Sequence, residues 1–207
     1  MSVRVGIIDY GICNLSSVVN AFLHIGCDVK IVSDRKKFAE FTHLVLPGVG
    51  SFPKGMENLQ KKGLDEAICR EAERGKPILG LCLGMQLFAE TGEEFGLTNG
   101  LGLIQGSVSI INVNQSELRV PHVGWNKVYL NKNSIIAAGI QQSSAFYFIH
   151  SYSYSDSEAS YVVGVCDYSS KIVSIIEKDN IFGAQFHPEK SQSDGLLLLK
   201  NFSNISS

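Results

Sequence analysis

The 207-residue sequence has no stretch of Lys and Arg interleaved with aromatic side chains, and its formal net charge is only −2. An electrostatic footprint for nucleic acid is therefore missing, and no nucleic-acid partner is expected. No apolar run approaches the roughly 20 residues that a membrane-spanning helix needs. Residues 1–10, MSVRVGIIDY, lack the charged start, apolar middle and small-residue cleavage site of a secretory leader, and they alternate like a first strand. A cytoplasmic chain without membrane contact is the expectation. The cysteines (Cys13, Cys27, Cys69, Cys82, Cys166) are odd in number and lack paired spacing, which suits a reducing compartment better than a disulfide scaffold. Most of them read as small core residues. Repeats, low-complexity tracts and linkers are also missing, so residues 1–207 are expected to form one domain, with no room for a second catalytic domain.

What is present is a core-forming alternation. Hydrophobic residues make up 44% of the chain, enough for a sizeable core. Strand-like runs occur at VRVGIID (3–9), DVKIVS (28–33), HLVLP (43–47) and PILGL (77–81), with helical patterns at 15–25 and 56–74, the latter closed by Gly75. Strands alternating with helices predict an α/β fold, a mostly parallel central sheet with helices on its faces. Beyond residue 100 the runs shorten: LGLIQGSVSI, RVPHVGWNKVYL, AFYFIHSY, YVVGVCDY, KIVSIIE and IFGAQFHPE. These are expected to extend the same sheet and add antiparallel strands in the C-terminal half. SYSYSDSEAS (151–160) reads as an exposed loop, and SDGLLLLKNFSNI as a closing helix capped by Ser193 or Asp194.

Ligands gather at the carboxyl ends of strands in open parallel sheets, and Cys82 sits at such an end. The surrounding G-L-C-L-G has the form of a nucleophile elbow with sulfur in place of oxygen. The helix that follows starts with unpaired N–H groups, which favour an anion. A buried cysteine of no chemical consequence is the alternative. FHPEKS supplies the missing partners: His187 and Glu189 are two residues apart at a strand end, where Pro188 biases its predecessor toward extended geometry. A cysteine nucleophile needs a base, and the base needs an acceptor that fixes its tautomer. His24, His43 and His122 lack such company and read as structural. PGVGSFPKG is no P-loop, because Lys54 precedes Gly55.

PGVGSF, GLCLGMQLF and FHPEKS, in that order, resemble the triad class of glutamine amidotransferases over nearly the whole chain. Within that class IIDYGICNLSSV, PHVGWN, FYFIHSY and FHPEKS followed by GLLLLKNF are similar to the glutaminase subunits of imidazole glycerol phosphate synthases. The resemblance implies that Cys82, His187 and Glu189 hydrolyse glutamine to glutamate and ammonia through a thioester. It implies oxyanion donors at Val49, Gly50 and Leu83. Gln86, Glu94, His150, Ser151 and Tyr152 would bind glutamine. Taken alone, Glu94 reads equally as a solvated charge and His150 as a structural strand-end residue.

Ammonia in neutral water is mostly protonated and no longer nucleophilic, so it must pass directly to an acceptor site, for which this chain has no room. The resemblance identifies the partner as a (β/α)₈-barrel cyclase subunit forming a heterodimer, making imidazole glycerol phosphate and AICAR in histidine biosynthesis. Asn14, Trp125, Asn126 and Lys190 would face it, although Trp125 and Lys190 also read as a core residue and a surface charge. Neither a metal nor an organic cofactor is called for. One departure stands out: Cys13 occupies the place of a glycine in the family's DYGxGN. A side chain there would resist left-handed torsions, altering the turn near Asn14. Three alternatives remain at this stage: a paralogue serving surface-sugar amidation, a stand-alone cysteine hydrolase, and a catalytically inert binding module.

Overall fold

A computed structural model describes residues 3–113 and 119–206. In the first half, strands β1 (Arg4–Ile8), β2 (Asp28–Val32), β3 (His43–Gly48) and β4 (Ile78–Cys82) alternate with helices α1 (Leu15–His24), α2 (Phe52–Lys62) and α3 (Leu64–Glu73). The short helix α4 (Leu83–Gln86) follows β4 directly. Then come β5 (Thr91–Gly92), β6 (Thr98–Asn99), β7 (Ser107–Ile110), β8 (His122–Leu130), β9 (Ser144–His150), β10 (Tyr152–Tyr154), β11 (Val162–Tyr168), β12 (Ser170–Lys178) and β13 (Ile181–Ala184), and α5 (Gln192–Ser203) follows.

Among the described residues, nine strands form one sheet in the order β2-β1-β3-β4-β13-β12-β11-β8-β9. Pairings from β2 through β13 are parallel, and those from β13 to β9 antiparallel. The expected α/β architecture, with antiparallel strands added by the C-terminal half, is therefore present. Strand alternation divides the core in two. On one face Ile8, Leu44, Leu46 and Ile78 pack with Met56 and Leu59 of α2 and Ile68 of α3. On the other, Ile7, Val45, Leu79 and Leu81 pack with Phe22 of α1 and Leu198 and Phe202 of α5. Each face is thus covered by helices that the amphipathic patterns supply.

Four expectations change. The helix expected over 56–74 starts earlier and is two helices: Gly63, at φ +62°, takes the left-handed conformation that ends α2, and α3 begins at the next residue. The strand in LGLIQGSVSI is confined to β7, which joins a separate four-stranded sheet, β10-β7-β5-β6, rather than the main one. SYSYSDSEAS is not loop throughout, because β10 pairs with β7 and buries Ser153 and Tyr154. Finally, α5 has Ser191 at its N-cap, with Ser193 and Asp194 inside the first turn.

Cys13 shows no left-handed torsion; the positive φ of this turn falls on Gly11, at +98°. Replacement of the family's glycine thus imposes no left-handed torsion on Cys13. All five cysteines are free, and among the described residues no helix is long and apolar enough to cross a membrane.

Candidate active site

Cys82 ends β4 and opens α4 with φ +53° and ψ −112°, a torsion pair a side-chain-bearing residue adopts only when its surroundings impose it. The glycines around it make the turn possible. A Cβ at Gly84 would lie 1.7 Å from the Leu46 carbonyl oxygen, so only glycine lets α4 pack this tightly on β3. The sulfur is thereby aimed away from the sheet into a cavity lined by Val49, Gly50, Cys82, Leu83, Gln86, Glu94, Pro121, Ile149, His150, Ser151, Tyr152 and His187.

The antiparallel half of the sheet returns to this point. Cys82 Sγ lies 3.9 Å from the Ile149 carbonyl of β9, and the His187 N–H donates to the Tyr147 carbonyl at 2.9 Å. Ser191 tightens the junction: its hydroxyl donates to the His187 carbonyl at 2.6 Å and accepts the Tyr147 N–H at 3.0 Å. His187 Nδ1 donates to Glu189 Oε1 at 2.8 Å, since a carboxylate can only accept. Nε2 is left toward the sulfur, buried and without a hydrogen bond of its own. Burial lowers the proton affinity of this imidazole, but the neighbouring Cys82 and Glu189 outweigh it and raise the pKa to about 10. A cationic imidazole beside the sulfur can stabilise a thiolate and later deliver a proton.

Every residue expected to act on glutamine lies on this cavity, with Glu189 behind His187. The expected oxyanion donors differ among themselves. Leu83 opens α4, where helical N–H groups lack intrahelical partners. Gly50 lines the wall at φ +101°. The Val49 N–H is instead committed to the Ile12 carbonyl at 3.0 Å. Glu94 Oε2 accepts the Phe52 N–H at 2.7 Å, holding the carboxylate at the start of α2.

The four residues expected at a partner surface separate. Trp125 is 46% exposed and meets the Tyr147 ring edge-on at 6.1 Å, while Lys190 Nζ lies 5.7 Å from the centroid of the same ring. Asn14 is exposed at the start of α1, bonded to Ser17 Oγ at 3.1 Å. Asn126 is the next residue after Trp125 on β8 and therefore points to the opposite face, where its amide donates to His122 Nε2 at 2.6 Å.

Sequence reasoning passed over Gln185, fully buried, whose Nε2 lies 3.9 Å from Cys82 Sγ. A lone amide inside the apolar run IFGAQF was the available signal. It also passed over Pro121 and Ile149, which line the cavity, and over Tyr10, whose buried hydroxyl has no partner and lies beneath Gly48. Among the described residues no cluster of His, Cys, Asp and Glu suits a metal ion.

Comparison with known proteins places this geometry. A family model described as "Glutamine amidotransferase class-I" matches residues 6–204. The chain is 44% identical over 201 residues to "Imidazole glycerol phosphate synthase subunit HisH" of Caldanaerobacter subterraneus subsp. tengcongensis, covering 97% of this chain and 98% of that one. It is 42% identical over 207 residues to the protein of the same name from Pelagibacter ubique, covering 98% and 100%. Among solved structures it superposes on PurLQS from Thermotoga maritima with a TM-score of 0.75, at 20% identity and 99% coverage of both chains. It also superposes on the glutaminase domain of Trypanosoma brucei CTPS with bound acivicin, with a TM-score of 0.70 at 18% identity, covering 100% and 96%. These two likenesses concern the fold.

Proposed function

The chain belongs to the class-I glutamine amidotransferase family, and from that premise we propose that it is the glutaminase subunit of an imidazole glycerol phosphate synthase. It acts in the cytoplasm as one domain over residues 1–207. The observation that carries this reading is the convergence of Cys82 and a Glu189-backed His187 on one cavity. The curated relatives, named as subunits of that synthase, support the assignment of the reaction.

Cys82 Sγ attacks the side-chain amide carbon of glutamine, forming a C–S bond and a tetrahedral oxyanion. The C–N bond breaks as His187 gives its Nε2 proton to the departing ammonia. His187 then takes a proton from water, whose oxygen attacks the glutamyl thioester, and glutamate leaves as the thiol is restored. Glu189 holds the Nδ1 proton in place, so that Nε2 is always the working nitrogen. Glu94 receives the α-ammonium of glutamine, with Gln86 beside it, and the His150-Ser151-Tyr152 segment receives the carboxylate end.

The oxyanion is held by the Leu83 N–H and by the turn at Val49 and Gly50. Because the Val49 N–H is bonded to Ile12, the resting site lacks that donor, and one such donor is worth about 3 kcal/mol of barrier. Ile12 lies two residues from Asn14, so a partner seated on Asn14, Trp125 and Lys190 touches the segment that holds Val49 back. That partner is a (β/α)₈-barrel cyclase subunit, which consumes the ammonia to make imidazole glycerol phosphate and AICAR in histidine biosynthesis. The test is glutamate release by the chain alone and with the barrel subunit and its ligand. A sharp rise on addition is expected; an unchanged rate, with no co-elution of the two chains, overturns the assignment.

A further inference from the structure

Four buried polar side chains meet at the cavity wall and behind it: His122 and Gln185 at 0% exposure behind the wall, Gln86 at 5% and His150 at 6% on it. Buried polar groups must find partners, and here the partners form one connected chain. Asn126 Nδ2 donates to His122 Nε2 at 2.6 Å. His122 Nδ1 and His150 Nε2 are 3.0 Å apart, and His150 Nδ1 lies 2.8 Å from the Tyr152 carbonyl. That carbonyl also accepts from Gln86 Nε2 at 2.8 Å. Gln86 Nε2 donates its other hydrogen to Gln185 Oε1 at 2.9 Å.

The directions are forced by chemistry. A carbonyl only accepts, so His150 must carry its proton on Nδ1, and the neutral ring then offers Nε2 as an acceptor. His122 must in turn donate from Nδ1 and accept at Nε2, as its contact with the Asn126 amide requires. Burial supports both neutral rings, lowering His122 to about 4 and His150 to about 3. Both hydrogens of the Gln86 amide are consumed by acceptors. Its oxygen is the one polar atom left for a ligand on the cavity side, and it accepts only a donor.

We propose that His122 and Gln185 are positioning residues of the glutamine site. His122 donates to His150 Nε2 and so holds that ring, protonated on Nδ1, against the Tyr152 carbonyl; that carbonyl and Gln185 in turn hold the Gln86 amide with its oxygen toward the substrate. The site thereby selects a ligand that presents N–H groups at that point and disfavours one that presents an oxygen. The inference deepens the glutaminase reading and rests on it.

The His122 ring is stacked between Phe148, at 4.7 Å and 22°, and Tyr168, at 4.0 Å and 23°. His122→Phe therefore keeps the stack and removes both nitrogens, whereas His122→Asn restores an N–H near the Nδ1 position. With the complex of this chain and its synthase partner, His122→Phe is expected to raise KM for glutamine roughly tenfold, the scale of a buried acceptor, here His150 Nε2, losing its partner. Alkylation of Cys82 by iodoacetamide, which needs no Gln86, should stay within about twofold of the unmodified protein on the same scale. His122→Asn should recover part of the KM loss. Gln185→Leu should raise KM as well, and the double variant His122→Phe/Gln185→Leu should raise it by less than the product of the singles, because both act on one amide. An unchanged KM, equal KM values for the Phe and Asn variants, a parallel loss of alkylation, or strictly multiplicative effects would each overturn the proposal. Failure of the unmodified complex to release glutamate would instead overturn the glutaminase reading itself.

Discussion

His187 Nδ1 donates to Glu189 Oε1 across 2.8 Å although only Pro188 separates the two residues. The contact is possible because the chain turns into a short 3₁₀ segment, Pro188–Lys190, immediately after His187, whose own torsions remain extended. Base and orienter are therefore a local unit, and only the sulfur has to be brought from a distant part of the chain.

Covalent labelling follows from that arrangement. 6-Diazo-5-oxo-norleucine should add once, on Cys82, in the presence of the synthase partner. Intact-mass and peptide analysis should find no adduct in Cys82→Ala, while the other cysteines remain unmodified.

Substitutions within the pair should be unequal. His187→Ala removes the proton carrier of both half-reactions and should lower kcat by about 10³-fold or more. Glu189→Ala leaves an imidazole beside the sulfur and should cost at least about tenfold less than that, since orientation is easier to replace than proton transfer. Steady-state kinetics with the partner bound would show the ranking reversed if Glu189 were the base.

The same pair makes stability pH-dependent. The folded pKa of His187 is raised to about 10, so its contribution is complete below the ordinary histidine range and declines as pH rises toward 10. The stability advantage of the unmodified protein over Glu189→Gln should accordingly shrink between about pH 7 and pH 10. Denaturant titrations at several pH values measure it, and a constant difference would contradict the ion-pair geometry.

Glu94→Gln separates charge from packing. The amide oxygen can still accept the Phe52 N–H, so the melting temperature should hold, while KM for glutamine should rise by about tenfold to a hundredfold through loss of a charged hydrogen-bond acceptor. A fall in melting temperature without a change in KM would make Glu94 a helix cap only.

Gly84→Ala tests the elbow. The added methyl meets the Leu46 carbonyl oxygen at 1.7 Å, and neither backbone can yield without moving β3 or α4. A loss of about 3 kcal/mol in unfolding free energy is expected, the upper end of ordinary overpacking.

Much of this was legible in the residues. The four opening strands follow from their apolar runs, and the Cys82 elbow and the His187–Glu189 pair follow from spacing and from Pro188. The break at Gly63 was hidden because Leu64 and Ile68 continue the apolar stripe of Met56 and Leu59, so periodicity alone joins two helices into one. β5 and β6 are two residues long, too short for any alternation to register. β10 was hidden by the serines in and around it, yet Ser153 is buried and Tyr154 places its hydroxyl on the Met85 carbonyl at 3.2 Å. The opposite orientations of Trp125 and Asn126 were open to inference, since neighbours on a strand always diverge. The roles of Gln185 and His122 depend on contacts between positions far apart in the chain, which no local pattern carries.

β9 is the last strand of its sheet, a place where unpaired backbone groups can recruit a foreign strand and begin aggregation. Here Tyr147 spends its outward N–H and carbonyl on Ser191 and His187, and the Ile149 carbonyl faces Cys82. The segment that sets the base therefore doubles as a seal on this open edge. Loosening it, for example by Ser191→Ala, should cost solubility on storage as well as turnover.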